Sequence, residues 1–105
     1  MASLATAAPL AAIGEHVELF TVLDAEPSIL IVDGADLNRR VVRATLNGIG
    51  ANFIEARLPS DAFRILRNER VDLVICDMFL PELSGMEFCR QLKADRNTQL
   101  MPVLM

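Results

Sequence analysis

Two aspartates stand where apolar runs of strand length end, Asp33 after Ile29–Val32 and Asp77 after the run from Val71 to Cys76. In an open α/β sheet, ligands bind at the carboxyl ends of the strands. A carboxylate there is placed to do chemistry, as a weak nucleophile that needs help from its surroundings. Behind Asp77 lies the charged Arg67-Asn68-Glu69-Arg70, and ahead of it Pro81 and Gly85 punctuate a loop. An aspartate closing a strand can equally be a turn former or a helix N-cap. The residues of this stretch alone leave both readings open.

Other side chains offer less. His16 is the only histidine, with no second ligand or nucleophile beside it, and reads as a solvated surface residue. Cys76 and Cys89 lack metal-ligand spacing and sit in apolar settings, which reads as buried, reduced thiols and fits a reducing, cytoplasmic compartment. Arg39, Arg40 and Arg43 share one expected helix and read as a solvated face. The chain has 105 residues, 52% hydrophobic, with a formal net charge of -4. That composition fits one globular domain and argues against nucleic-acid binding through phosphates, there being no basic cluster or aromatic platform.

The elements that position the two acids follow from the pattern. Residues 1–27 form an N-terminal extension rich in alanine, without the basic start of a secretory signal, and its apolar stretch, broken by Pro9 and Gly14, does not span a membrane. Residues 15–23 fit an amphipathic helix or a strand, and period alone does not decide. From residue 28 the chain alternates. A strand at Ile29–Val32 leads to a helix from Leu37 to about Leu46, capped by Asp36 and buried through Val41, Val42, Thr45 and Leu46. A strand over Asn52–Ala56 precedes a helix from Pro59 through Asn68, with Ala62, Phe63, Leu66 and Ile65 facing inward. The third strand is followed by a helix from about Ser84 to Ala94 burying Met86, Cys89 and Leu92, and a fourth strand begins after Pro102. The order β-α-β-α-β-α-β implies a parallel sheet with right-handed crossovers.

At this point the chain resembles a known family. ILIVDGADLNRRVVRATL and VDLVICDMFLPELSGMEFCRQLKADRNTQLMPVLM are similar to the receiver domain of two-component response regulators, over Ser28 to Met105. The spacing Asp77-x-x-x-Pro81-x-x-x-Gly85 behind a strand is the more specific part. The resemblance implies a flavodoxin-like doubly wound α/β domain and a signalling module rather than an enzyme. It also implies transfer of phosphate from a histidine kinase or phosphotransfer protein to an aspartate beside Mg²⁺. By it, Asp77 is the phosphoacceptor, and the metal ligands are Asp33, Asp77 and the backbone carbonyl of Phe79. Pro81 and Gly85 shape the loop. The chemistry suits these residue types, because transfer to a weak nucleophile relies on positioning and on a divalent cation that neutralises charge. Mg²⁺ commonly takes one or two carboxylates plus waters.

Two departures stand against the resemblance. Gly34 occupies the place of the family's second acid, normally a metal ligand, and its loss is expected to weaken Mg²⁺ binding by more than about ten-fold. Asp36 lies nearby, but helix capping accounts for it. The sequence also stops at Met105, inside the fourth strand, so a receiver without the family's Ser/Thr, fifth strand with its lysine and last two helices is expected; Lys93 does not match that lysine. The fold is thus expected to be an incomplete receiver of four strands and three helices. A sheet edge left open is expected to be covered, by residues 1–27 through Leu10, Ile13, Val17, Leu19, Phe20 and Leu23, or by a second copy in a homodimer. Three functions compete: a receiver accepting phosphate on Asp77, a phosphate-indifferent pseudo-receiver acting as a dimeric interaction module or decoy, and a flavin-binding flavodoxin-like protein. The last is disfavoured by the single glycine of VDGADLN, too few for a phosphate cradle.

Overall fold

The computed structural model describes residues 26–105. The expectations for His16, for a helix or strand at residues 15–23 and for an N-terminal cover lie outside the described residues. Four strands and three helices alternate as β1 (Ser28–Val32), α1 (Asp36–Thr45), β2 (Asn52–Ala56), α2 (Pro59–Asn68), β3 (Leu73–Cys76), α3 (Gly85–Ala94) and β4 (Val103–Leu104). All strand pairs are parallel, in the order β2-β1-β3-β4. Stepping inward from β2 to β1 and then out to β3 reverses the direction of winding at β1, so the crevice at the carboxyl ends of β1 and β3 is a topological switch point.

β1 is buried on both faces, as a central parallel strand must be. Its alternate residues feed two separate cores. Leu30 and Val32 join Val74, Cys76, Ala62, Ile65, Phe88 and Leu92 on the side of α2 and α3. Ile29 and Ile31 join Leu73 on the other side, where Val42 and Phe53 pack against them. The period of two along one strand therefore builds a layer of helix on each side of the sheet. Phe63 and Phe88 tie α2 to α3, with ring centroids 4.9 Å apart in a tilted arrangement.

Three expectations are corrected here. Asp36 does not cap α1; Ala35 holds the N-cap position without a side-chain bond, and Asp36 opens the helix as the partner of Arg39 and Arg40. No α1 residue is fully buried: Val42 is half-buried, Thr45 is exposed and Val41 is 56% exposed, because the helix packs on the Ile29–Ile31–Leu73 core through Val42, and burial is reached only past its end at Leu46. On α3 the inward stripe is Gly85, Phe88 and Leu92, a spacing of three and four. Met86 lies outside that stripe and is 62% exposed, while Cys89 is half-buried and only Cys76 is a fully buried thiol.

α3 starts on half of a capping box. Ser84 accepts a hydrogen bond from the Glu87 backbone N–H at 3.1 Å, but the Glu87 side chain turns away to Arg90 and Gln91. Ser84→Ala is expected to lower stability by about 1 kcal/mol, visible as a thermal midpoint several degrees lower. An unchanged midpoint would mean that solvent satisfies the Glu87 N–H equally well.

Candidate functional site

The register that pairs Val32 with Cys76 sets Asp33 and Asp77 side by side, one residue further along each strand. The ladder continues through them: Asp77 N–H donates to the Val32 carbonyl at 3.0 Å, and Asp33 N–H to the Ala56 carbonyl at 3.1 Å. Both acids are half-buried. The fold therefore brings the two sequence-predicted carboxylates to one end of the sheet.

Their surroundings differ. One oxygen of Asp33, Oδ1, accepts from the Ala35 N–H at 2.9 Å and from Asn38 Nδ2 at 3.3 Å. This is an Asx-type turn that orients the carboxylate from within its own loop. The Asp77 carboxylate receives no hydrogen bond from a described residue. Behind it the buried Cys76 thiol donates to the Asp77 backbone carbonyl at 3.2 Å. Desolvation first, then the nearby Cys89, Asp77 and Asp33, pushes the Cys76 thiol up to about 12, so it stays protonated at neutral pH.

The loop from Asp77 to Gly85 is pinned at both ends. Gly85 N–H donates to the Met78 carbonyl at 2.8 Å. A Cβ on Gly85 would overlap the Asp77 carbonyl oxygen and lie 2.9 Å from Met78 Cα, so only glycine lets α3 begin this close to the acid. Pro81 approaches the other acidic strand end, since a Cβ on Gly34 would lie 3.1 Å from its Cδ. Gly34 and Pro81 thus fit one another, and the place where a side chain at position 34 would start lies against the proline ring. Phe79 leaves its side chain 84% exposed beside Asp77. Lys93 is engaged with the Met101 carbonyl in the last turn of α3.

Two residues that sequence reasoning passed over shape this end of the sheet. Glu82, with φ of 71°, holds a backbone conformation uncommon for a side chain larger than glycine. Its carboxylate accepts from the Ser60 N–H and from Ser60 Oγ, both at 3.0 Å, and so serves as a cap for the first turn of α2 supplied by the Asp77 loop. Arg39 is not part of a solvated face: its side chain is only 11% exposed and reaches the Asp33 carbonyl, Asp36 and Glu55. Neither contact has a local signal, since Ser60 is 22 residues from Glu82 and Glu55 is 16 from Arg39. Arg43, also on Glu55, holds that carboxyl below the usual range, with burial opposing and Arg39 assisting.

A parallel sheet wound in both directions defines the doubly wound class of α/β domains, which bind ligands at the switch point, and here that crevice carries paired aspartates. Within that class the comparisons are specific. The family model for the response regulator receiver domain matches residues 29–105. The chain belongs to that family. It is 34% identical over 77 residues to the polar-differentiation response regulator DivK of Brucella anthropi, covering 73% of this chain and 63% of that protein. It is 30% identical over 79 residues to the transcriptional regulatory protein AfsQ1 of Streptomyces coelicolor, covering 75% of this chain and 34% of that one. The chain thus spans less than two thirds of the length of these relatives. Among solved structures, the chemotaxis response regulator CheY4 of Vibrio cholerae matches with a TM-score of 0.71 at 26% identity, over 77% of this chain and 68% of that one. A putative response regulator from Chloroflexus aurantiacus matches with a TM-score of 0.73 at 28% identity, over 76% and 66%. These neighbours share the flavodoxin-like fold, and receiver domains are signalling modules of two-component systems rather than classical enzymes. No described helix is long and apolar enough to cross a membrane.

Proposed function

We propose that this chain accepts a phosphoryl group on Asp77 from a phosphohistidine of a histidine kinase or phosphotransfer protein, and signals through protein–protein contacts. The observation that carries the reading is the Asp33–Asp77 pair at the switch point, with the Asp77 carboxylate free of hydrogen bonds from described residues and its loop pinned by Gly85 and Glu82. In the reaction a carboxylate oxygen of Asp77 attacks phosphorus, the P–N bond breaks and the imidazole nitrogen keeps the electron pair. An acyl phosphate and a neutral histidine result.

The donor set suits Mg²⁺. Asp33, Asp77 and the Phe79 carbonyl are all hard oxygens, and the ion accepts one or two carboxylates with waters completing its shell. No group of three or more His, Cys, Asp or Glu side chains capable of holding a metal occurs among the described residues, so water and phosphoryl oxygens would supply the rest. When bound, the ion would neutralise charge developing on the phosphoryl oxygens. The residues do the positioning: Asp33 is oriented by Ala35 and Asn38, and Asp77 is held by the β3 ladder.

A second reading rests on Gly34, which supplies no second acid and leaves Pro81 close to where a side chain would start, and it favours a pseudo-receiver indifferent to phosphate. Beryllofluoride with Mg²⁺ separates the two, followed through backbone amide resonances of uniformly labelled protein. The receiver reading expects saturable shifts around Asp77, abolished in Asp77→Asn while that variant keeps its thermal midpoint. Absence of shifts at high Mg²⁺ in the wild-type protein would leave the pseudo-receiver. Light scattering on the same samples tests for the homodimer.

A further inference from the structure

Among the described residues, Asp33 is the only carboxylate that closes β1, and its peptide is gripped more firmly than a loop residue requires. The N–H is fixed by Ala56 of β2 at 3.1 Å, and the carbonyl accepts from Arg39 Nη1 at 2.7 Å. Arg39 is itself fixed from two sides. Its Nε donates to Glu55 Oε1 at 2.9 Å, and its Nη2 to Asp36 Oδ1 at 3.1 Å. Each of the three guanidinium nitrogens thus has a different task, and the planar fork holds all three at once. Glu55 lies opposite Ile31 in the β1–β2 register, so the anchor is the sheet itself.

We propose that Arg39 is a positioning residue for the acidic site, holding the Asp33–Gly34 peptide to the β2 edge through Glu55 so that the single β1 carboxylate keeps a fixed direction toward the Asp77 end. The inference rests on the receiver reading above. With Gly34 contributing no side chain, cation binding depends on the placement of one carboxylate from this loop, and residues supporting a ligand from behind commonly set affinity by ten-fold or more.

Charge and positioning predict opposite signs. A guanidinium beside Asp33 repels a divalent cation, so its removal would tighten Mg²⁺ binding if charge were its only effect. Removal of a positioning contact weakens it. Arg43 supplies the control: it shares Glu55 with Arg39 on the same helix but makes no bond to Asp33, its guanidinium lying 5.9 Å over the Phe53 ring instead.

The experiment is a Mg²⁺ titration of the full chain, read from the Asp33, Gly34 and Asp77 amide resonances, for wild type, Arg39→Met, Arg39→Lys and Arg43→Met. Each is first confirmed folded by thermal melting. Arg39→Met is expected to weaken binding by about ten-fold and to shift the Gly34 amide even without metal. Arg39→Lys, which keeps the charge and one donor, recovers part of the loss, and Arg43→Met binds as wild type. Should Arg39→Met not fold, Arg39→Lys alone carries the comparison, with weaker binding than Arg43→Met expected. Equal or tighter binding in the Arg39 variants, with wild type binding normally, overturns the positioning role and leaves the receiver reading intact. Equal weakening in Arg43→Met reduces the effect to general stability. No binding by wild type overturns both.

Discussion

Gly85→Ala is expected to destabilise the domain by about 3 kcal/mol, at the upper end of what overpacking usually costs. The midpoint of thermal unfolding should fall by roughly 15 °C. Helix propensity pulls the other way, since alanine is better than glycine in a helix by about 1 kcal/mol. Sterics win because the new methyl meets backbone and not a flexible side chain: it overlaps the Asp77 carbonyl oxygen and lies 2.9 Å from Met78 Cα. To make room, either α3 slides away from β3, opening the core at the fully buried Phe88, or the Asp77 peptide rotates out of the ladder. The second route displaces Asp77, the proposed acceptor, directly. Phosphoryl transfer from a small-molecule donor should then fall by about 100-fold, the usual cost of misplacing a reacting group by about 1 Å.

Gly48→Ala is the companion measurement. Gly48 has φ of +96° but nothing within 4 Å of a built Cβ, so only backbone strain opposes the substitution, at about 1 kcal/mol. Circular-dichroism melts of both variants would rank the two effects. Gly85→Ala melting at or above Gly48→Ala would show that α3 can start elsewhere at little cost, and the pinned loop would lose its claim to position Asp77.

That ranking shows where sequence reading succeeds and where it stops. β1 was legible because a continuous apolar run is what burial on both faces requires, and Pro59 at the first turn of α2 announced that helix directly. Asp33 and Asp77 were legible because each closes such a run. On α3, Met86, Cys89 and Leu92 keep a helical spacing, but so do Gly85, Phe88 and Leu92, and the second set is selected by tertiary contacts: Phe88 packs in the core against Phe63, and Gly85 fits where a Cβ would strike the Asp77 carbonyl. Periodicity fixes a helix's face only to within a residue when apolar side chains lie on both sides of it.

Arg39 and Glu82 were illegible for a different reason. Both act through partners on other elements, and a charged side chain on a short helix or in a loop is ordinarily solvated. What distinguishes Arg39 is that α1 crosses β1 and β2 where Glu55 rises from the sheet, a meeting that exists only after three elements have assembled. Asp36 has the type and place of a cap; the same meeting recruits it to Arg39 instead, and Ala35, without a polar side chain, is left at the N-cap.

Gly34→Asp is expected to tighten Mg²⁺ binding by more than ten-fold, provided the new carboxylate projects into the space between Asp33 and Asp77. At an effective dielectric near 20, a charge pair about 4 Å apart is worth about 4 kcal/mol. Repulsion among three carboxylates in the metal-free protein returns part of that gain, leaving a net of at least about 1.4 kcal/mol, which is ten-fold. Two terms set the folding cost. A Cβ here lies 3.1 Å from Pro81 Cδ and 3.3 Å from Cγ, so the ring must yield by a few tenths of an ångström. Against that, the Gly34 backbone is not in the left-handed region, and any side chain removes unfolded-state freedom worth about 0.4–1 kcal/mol. Gly34→Ala should therefore stay within about 1 kcal/mol of wild type, and it isolates the Pro81 contact. Gly34→Asn then matches the aspartate in size without its charge. If Gly34→Asp binds Mg²⁺ no better than Gly34→Asn, the missing acid is not what limits this site. Tight binding by the aspartate variant alone would show that the remaining frame of Asp33, Asp77 and the pinned loop is intact, and that the departure at position 34 weakens the metal without dismantling the site that holds it.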